Sequence, residues 1–483
     1  MSVPDKALDN SLEKIPAIAL DVDSSVYNLY EKREKIFTRS IEGFFQNVRL
    51  FTGWPLLLGY FLIPWLMLDG RQAILFDLPA RKFHIFWLTF WPQDFGFLAW
   101  ALMIAAFGLF FITTLLGRVW CGYTCPQTVW TAIFMWAEQV AEGERHQRIN
   151  LQNAPWSLEK AFKRFVKHGM WMGFAALTGL TFVSYFYGAR PLVLDTWNLQ
   201  LGESALFWSA FFTLATYANA GWMREQVCIH MCPYARFQSA MFDKDTLVVS
   251  YDPQRGEARG PRKRSADTAE LGLGDCIDCS LCVQVCPTGI DIRDGLQYEC
   301  INCANCIDAC DSIMTKMDYA PGLISYTTEN QLAGQGWTWK RPKLLAYGMA
   351  VLMMITLFAY SLATRMPLEL DVMRNRGELY QEVAGGLIRN TYLLKVINMD
   401  RQAHAYQLSV TGLPTPRLVP DAIIMAPAGE IVEISIDVLV DPDALRGVNT
   451  EIEFRVETED GRWYATSESR YLGPAPLRGS YGR

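Results

Sequence analysis

CIDCSLCVQVCP at residues 276–287 and CINCANCIDACD at residues 300–311 repeat one cysteine spacing, C-x2-C-x2-C-x3-C, within 36 residues. Three closely spaced thiolates can wrap one corner of a cubane cluster, and the fourth is carried by the following turn to a neighbouring cluster. The expected groups are therefore crossed: Cys276, Cys279 and Cys282 with Cys310, and Cys300, Cys303 and Cys306 with Cys286. Pro287 follows the first run as the pattern prefers, while Asp311 stands where the second would have proline. Zinc is the alternative for CxxC pairs, but two CxxC knuckles already complete a four-thiolate zinc site, leaving the third and fourth cysteines of each run idle. The spacing thus predicts two [4Fe–4S] clusters. Seven acids lie between Asp275 and Asp311 against Arg293 alone, which suggests either low reduction potentials or a solvated acidic face.

The chain has twelve cysteines, and the other four lie in GRVWCGYTCP (117–126) and REQVCIHMCP (224–233). Each segment has an arginine before the first cysteine (Arg118, Arg224), then C-x3-C-P, as in a duplicated helical hairpin. Proline suits the first turn of a helix and drives the preceding residue out of the helical region. Cys125 and Cys232 are therefore expected to cap helix N-termini, where the dipole favours thiolate. Cys121, Cys125, Cys228 and Cys232 meeting in one place would form a soft site suited to Cu(I) or an iron–sulfur centre, with His230 and Met231 as extra copper ligands. Packed, inert cysteines are the alternative.

Around these motifs the chain alternates apolar and polar blocks. Half of its 483 residues are hydrophobic and the net charge is −6, which gives no bulk attraction to nucleic acid. Five stretches read as bilayer spans, near Leu50–Leu68, Phe95–Leu116, His168–Tyr187, Ser204–Trp222 and Leu344–Ala363, with Pro55 and Pro64 kinking the first. Arg145, Arg148, Lys160, Lys163, Arg164 and Lys167 mark the second connection as cytoplasmic. The polar N-terminus lacks the pattern of a signal peptide. The expected fold is a membrane protein of five transmembrane α-helices, an inserted two-cluster ferredoxin-like domain and a C-terminal β-sandwich. Its blocks are a cytoplasmic segment 1–49, four helices in 50–222, a cytoplasmic ferredoxin-like domain 223–343, a fifth helix 344–363 and a periplasmic immunoglobulin-like domain 364–483. A basic linker, Asp252–Glu270, is expected to be mobile. Strands are expected at Leu387–Met399, Tyr406–Thr411, Ile431–Val440, Glu451–Thr458 and Trp463–Ser467, the last two joined at Asp460-Gly461. His84, among aromatics on the outer side, reads as an interfacial belt residue.

The CGYTCP and CIHMCP motifs, the double ferredoxin runs and the segment GRQAILFDLPARKFHIFWLTFWPQDF (70–95) together resemble the FixG/RdxA/CcoG proteins, over nearly the whole chain. The C-x3-C-P pairs alone are shared with membrane ferredoxins of the NapH and NosR type. The resemblance implies an inner-membrane accessory factor for the cbb-type cytochrome c oxidase, reducing Cu(II) to Cu(I) with electrons from a cytoplasmic donor. Its expected partners are lipid, copper ions and oxidase subunits or assembly factors. Two other functions compete: a quinol-linked respiratory subunit, which needs a quinone pocket that the sequence does not reveal, and a redox-sensing assembly scaffold.

Overall fold

The computed structural model describes residues 35–474 except 267–270, 337, 339, 376, 421, 422 and 446. Most of the N-terminal segment 1–49, the last residues of the basic linker and residues 475–483 thus lie outside the described residues. The helices that position the site are α1 (Phe44–Leu62), α2 (Phe95–Leu116), α3 (Val119–Tyr123), α4 (Pro126–Glu142), α5 (Leu158–Tyr187), α6 (Glu203–Thr216), α7 (Pro233–Met241), α8 (Asn305–Met317) and α9 (Pro342–Ala363).

Three described helices, not five, are long and apolar enough to cross a bilayer: Pro92–Leu116, Leu158–Tyr187 and Pro342–Ala363. The first expected span fails because its helix starts earlier, over polar Gln46, Asn47, Arg49 and Thr52. It also ends at Leu62, before a 3-10 turn at Ile63–Trp65 and a strand at Met67–Leu68. The fourth fails on length. The α-helical part, Glu203–Thr216, has 14 residues, about 21 Å at 1.5 Å per residue and short of a bilayer core. The backbone then widens into a π-helix over Tyr217–Met223.

Helices α2 and α9 pack antiparallel, Phe97 edge-on to Phe358 and Gly348 close against Phe111. Their ends are tied. Arg341 donates to the Thr114 carbonyl and Asp243 at one end, both at 2.6 Å, and Arg365 pairs with Asp94 at the other. Both helices expose apolar side chains along their flanks, among them Phe95, Leu102, Met349 and Leu352. A helix apolar all round suits a lipid environment. At the Arg365 end lies a meander of β1 (Ile74–Asp77), β2 (Lys82–Ile85) and β3 (Leu88–Phe90). It is joined to the C-terminal module by Arg365 to the Thr89 carbonyl and Arg401 to the Trp87 carbonyl.

At the Arg341 end sits the cysteine-rich domain. Its two-stranded sheet pairs β4 (Val248–Tyr251) antiparallel with β5 (Ile324–Thr327), over a core of Val249, Ile292, Ile307, Met314 and Leu323. The first-turn amides of α1, at Phe45 and Gln46, donate to the Asp308 carboxylate of α8, a favourable anion contact for a helix N-terminus. The linker departs from expectation, because its described part folds back on this domain. Arg255 pairs with Asp275 at 2.6 Å, Arg259 with Asp294 at 3.5 Å and Arg264 with Asp318 at 3.0 Å, while Arg262 donates to the Gly274 carbonyl at 2.6 Å. These arginines, with Arg293 on Asp278 and Asp291, offset much of the acidity counted in the sequence.

The C-terminal module is a sandwich of two antiparallel sheets. Its strands are β6 (Leu368–Arg374), β7 (Ile388–Asn398), β8 (His404–Thr411), β9 (Arg417–Val419), β10 (Ile423–Ala426), β11 (Ile431–Val440), β12 (Asn449–Thr458) and β13 (Tyr464–Leu472). One sheet runs β9-β11-β7-β6, with a two-residue strand at Gln381–Glu382 also paired to β7, and the other runs β10-β8-β12-β13. Alternate residues of β7 point inward, as the strand period of two requires. They meet Tyr406, Ile436 and Phe454, each fully buried, in one core. Five strands lie where the alternation predicts them; β6, β9 and β10 are additional to those expected.

Candidate functional site

The structure gathers the eight ferredoxin-type cysteines into two groups of four. One narrow space of about 20 Å³ is lined by Cys276, Cys279, Cys282 and Cys310, with Tyr251 and Arg293 beside them. A second of the same size is lined by Cys286, Cys300, Cys303 and Cys306, with Cys282 at its border. Each fourth cysteine thus joins the other run. The local backbone explains how three sulfurs of each run turn inward. Asp278 and Ser280 flank Cys279 with φ of 53° and 54°, and Asn302 and Ala304 flank Cys303 with φ of 55° and 59°. Four non-glycine residues in the left-handed region, at matching places in both loops, are a costly conformation kept where a site demands it. The sequence hid this signal, because none of the four is glycine.

All eight are free cysteines, and burial raises the proton affinity of Cys282, Cys300, Cys303, Cys306 and Cys310. Burial, followed by Cys282 and Asp311 for Cys310, pushes the Cys310 thiol up to about 12. Burial also raises Cys300 to about 12 and Cys282 to about 11. Soft sulfurs gathered in fours, without a counter-cation for each, are a donor set that a polynuclear metal group fits, because ligation replaces the protons. Among the described residues no three His, Cys, Asp or Glu side chains converge on a single ion.

The C-x3-C-P cysteines form a third cluster of thiols. Cys121 lies on α3, Cys125 is the N-cap of α4, Cys228 lies on a π-helix over Val227–Met231, and Cys232 is the N-cap of α7. The two motifs are therefore unequal halves of a repeat, one α-helical and one π-helical. Both prolines begin helices as expected, but at Cys125 the thiolate does not win. Burial outweighs the amides of Gln127 and Thr128 and raises Cys125, and burial with the neighbouring thiols pushes Cys121 up to about 12 and Cys228 to about 11. Cys121 Sγ lies 3.4 Å from Gln238 Oε1. His230 and Met231 are exposed, and the structure does not bring His230 to the sulfurs as a ligand.

Contacts that the sequence did not announce join this cluster to the second cysteine group. Gly122, between Cys121 and Cys125, lies so close to the Ile301–Cys303 backbone that a Cβ there would meet Ile301 O at 2.8 Å and Cys303 Cα at 2.9 Å. Arg118 donates to the carbonyls of Tyr298, Cys300 (3.3 Å) and Ala235 (2.7 Å). Tyr326 donates to the Asn302 carbonyl at 2.5 Å and meets Tyr123 at 3.1 Å. The matching arginine, Arg224, has different work: its guanidinium lies 2.8 Å from the fully buried Glu138, which Arg148 also approaches at 3.3 Å and Lys35 at 3.5 Å. Burial alone would raise the Glu138 carboxyl, but Arg224 and Lys35 hold it below its ordinary value.

Family comparisons match three parts of the chain. A 4Fe-4S binding domain matches residues 98–139, a 4Fe-4S dicluster domain residues 223–329, and the Ig-like fold at the C-terminus of FixG residues 358–474. The first two matches span all twelve cysteines. The nitrogen fixation protein FixG of Rhizobium meliloti is 38% identical over 80% of this chain and 81% of its own length. Protein RdxB of Cereibacter sphaeroides is 38% identical over 84% of this chain and 89% of its own. Protein RdxA of the same organism is 37% identical over 90% and 95%.

Proposed function

Because the chain belongs to the FixG/RdxA family, we propose that it is an inner-membrane electron-transfer protein whose acceptor is Cu(II), reduced to Cu(I) for building a cbb-type cytochrome c oxidase. An iron–sulfur electron-transfer protein is the part of this reading that the family and domain matches establish. The grouping of eight cysteines in two crossed fours is the observation that carries it. Cys276, Cys279, Cys282 and Cys310 would hold one [4Fe–4S] cluster, and Cys286, Cys300, Cys303 and Cys306 the other; each supplies one-electron chemistry when bound.

Copper enters as substrate. Its reduction takes one electron per ion and breaks no bond in the protein. The contact of Gly122 with the Ile301–Cys303 loop supports placing that step at Cys121, Cys125, Cys228 and Cys232, because these thiols adjoin the second cysteine group. Soft sulfur ligands favour Cu(I) over Cu(II) and so make the reduction more favourable. The arginine- and lysine-rich connections fit a cytoplasmic face for this end and a periplasmic sandwich for the other, where oxidase subunits or assembly factors would dock. The electron donor on this reading is reached from the cytoplasmic end.

Anaerobically purified protein should contain about eight iron atoms per chain, as two four-iron clusters require. The Cys125→Ser, Cys232→Ser double variant should keep that iron and its visible spectrum, accept electrons from dithionite, and lose cupric reduction. Twelve irons in the parent, falling to eight in the variant, would make the third thiol cluster an iron–sulfur centre instead. Unchanged copper reduction would leave these thiols a packing role.

A further inference from the structure

Helices α1 and α4 each carry an apolar stripe at helical spacing, Leu50, Leu57 and Phe61 on one, Val129, Ile133 and Trp136 on the other. Such stripes normally bury against each other. Here they line a cavity of about 800 Å³ instead, closed on a third side by Phe174 and Leu177 of α5. That volume is within the range of sites for whole organic ligands.

One end of the cavity is polar and abuts the cysteine-rich domain. Asn305, the first residue of α8, lines both this cavity and the space enclosed by Cys286, Cys300, Cys303 and Cys306. Arg49 donates from Nη1 to Gln46 Oε1 at 3.2 Å and Asn305 Oδ1 at 2.9 Å, and from Nε to the Gly122 carbonyl at 3.2 Å. With both amide oxygens so occupied, Gln46 and Asn305 each keep an NH2 group as the remaining donor. Arg39 and Arg49 also line this end, Arg49 with its guanidinium already on three acceptors. An apolar channel with amide groups at its polar end beside a redox site accommodates an elongated apolar molecule with a neutral, oxygen-bearing head.

We infer that this cavity seats the head of an isoprenoid quinol, with its carbonyl or hydroxyl oxygens on the amides of Gln46 and Asn305 and its tail between α1 and α4. The inference rests on the iron–sulfur reading and supplies its electron donor. A quinol becomes a quinone by giving up two electrons and two protons. Cys276, Cys279, Cys282 and Cys310 would hold one [4Fe–4S] group and Cys286, Cys300, Cys303 and Cys306 the other; with each supplying one-electron chemistry when bound, the two would take the two electrons of one quinol. The protons leave by Ser40, which lines the cavity and donates to the exposed Glu144 carboxylate at 2.9 Å. Pairing Asp275, Asp294, Asp278 and Asp291 with arginines removes negative charge that would resist such reduction. A phospholipid is the competing occupant. Its phosphate would find the Arg49 guanidinium already engaged with three acceptors and would have to seek Arg39, which also lines the cavity; displacement by phosphatidylglycerol therefore decides between the two occupants.

The test uses the full-length protein in nanodiscs under argon, with decyl-benzoquinone as the binding probe and its quinol as the reductant. Trp54 and Trp136 line the cavity, so their fluorescence should be quenched saturably. An azido analogue should label peptides of α1 and α4. Ala132→Phe, which fills the cavity, should weaken binding at least tenfold, and Gln46→Leu severalfold, with iron content unchanged in both. Decyl-quinol should bleach the cluster absorbance at a rate that saturates in the parent and falls at least tenfold in Ala132→Phe. Labelling elsewhere, undiminished binding by Ala132→Phe, or displacement of the probe by phosphatidylglycerol would overturn the site; binding without bleaching would overturn the donor role. Iron content is measured on the same samples, so a missing cluster, which defeats the iron–sulfur reading, is told apart from an empty cavity.

Discussion

Cys306 and Cys310 lie four residues apart on α8, about 6 Å along its axis, yet line different cysteine groups. One helix therefore serves both, and the x3 spacing of each run is what the step from one group to the other requires. Cys310→Ser should cost the cluster of Cys276, Cys279 and Cys282, lowering iron from about eight to about four per chain. Damage confined to the Cys300–Cys306 side, read by EPR, would defeat the crossed assignment. This much was legible in the sequence because ligand spacing is a local property. The charges around the ligands were not, since Arg255 meets Asp275 from twenty residues away. His84 makes a second residue-scale point. Its Nδ1 lies 3.0 Å from Thr89 Oγ1, and burial, then Arg71 and Lys82, pulls its pKa down to about 4. An unfolded chain takes up this proton near pH 6.5 and the folded chain only near 4. The contribution of neutral His84 is therefore complete above 6.5, is lost as pH falls from 6.5 to 4, and changes no further below. NMR of labelled histidine should show a midpoint near 4; one above 6 would mean a solvated ring.

At the scale of elements, α3 and the loop after it show what the motif C-x3-C-P does in three dimensions. Five helical residues present Cys121, and the chain then passes Gly122 and Tyr123 across the loop that bears Cys303. The glycine is there for proximity: its φ is not in the left-handed region, and the obstacle to a side chain is backbone at under 3 Å. Gly122→Ala should force this contact apart at a cost of about 1–3 kcal/mol, typical of overpacking. Cluster content should fall on the second group first, with cupric reduction lost before dithionite reducibility. Gly348→Ala is the control, since its Cβ would meet only the Phe111 ring at 3.1 Å. A melting point and activity unchanged in Gly122→Ala would show that the two elements are independent. Sequence reading found the helices on either side of these motifs through their prolines. It missed the π-helices because periodicity counts residues per turn as constant. It missed β9 and β10 because strands of three and four residues leave too few alternations to detect; β6 is legible after all, in the alternation of Leu368, Leu370 and Val372 with Glu369 and Asp371.

The whole molecule is organised by the α2–α9 pair, whose two arginine ties fix which modules share an end. Arg341, Asp243 and Thr114 join α9 to the cysteine-rich end, and Arg365 and Asp94 join it to the β-meander and the sandwich. The sequence predicted this opposition from charge alternation across five spans, yet among the described residues three helices meet the length and apolarity needed. The discrepancy does not alter the parity. Three crossings place the two termini of the membrane block on opposite sides, as five do, provided α1 and α6 with its π-helical continuation either both cross or both stay. What the helix count changes is the surroundings of α1: a helix with polar first turns and Pro55 inside it lines the open space beside α4 rather than packing along its length. The sidedness is testable without resolving that count. Reporter fusions truncated after Gly336 end before α9, and those truncated after Gly473 include it and the sandwich. The excess of Arg and Lys in the 145–167 and 223–343 connections predicts a cytoplasmic signal at Gly336 and a periplasmic one at Gly473. The Arg341 and Arg365 ties demand the same opposition, because the two ends of one 22-residue helix lie about 33 Å apart. Cytoplasmic signals at both sites would mean that α9 does not cross, and its exposed Met349, Leu352 and Met353 would then need a protein partner rather than lipid.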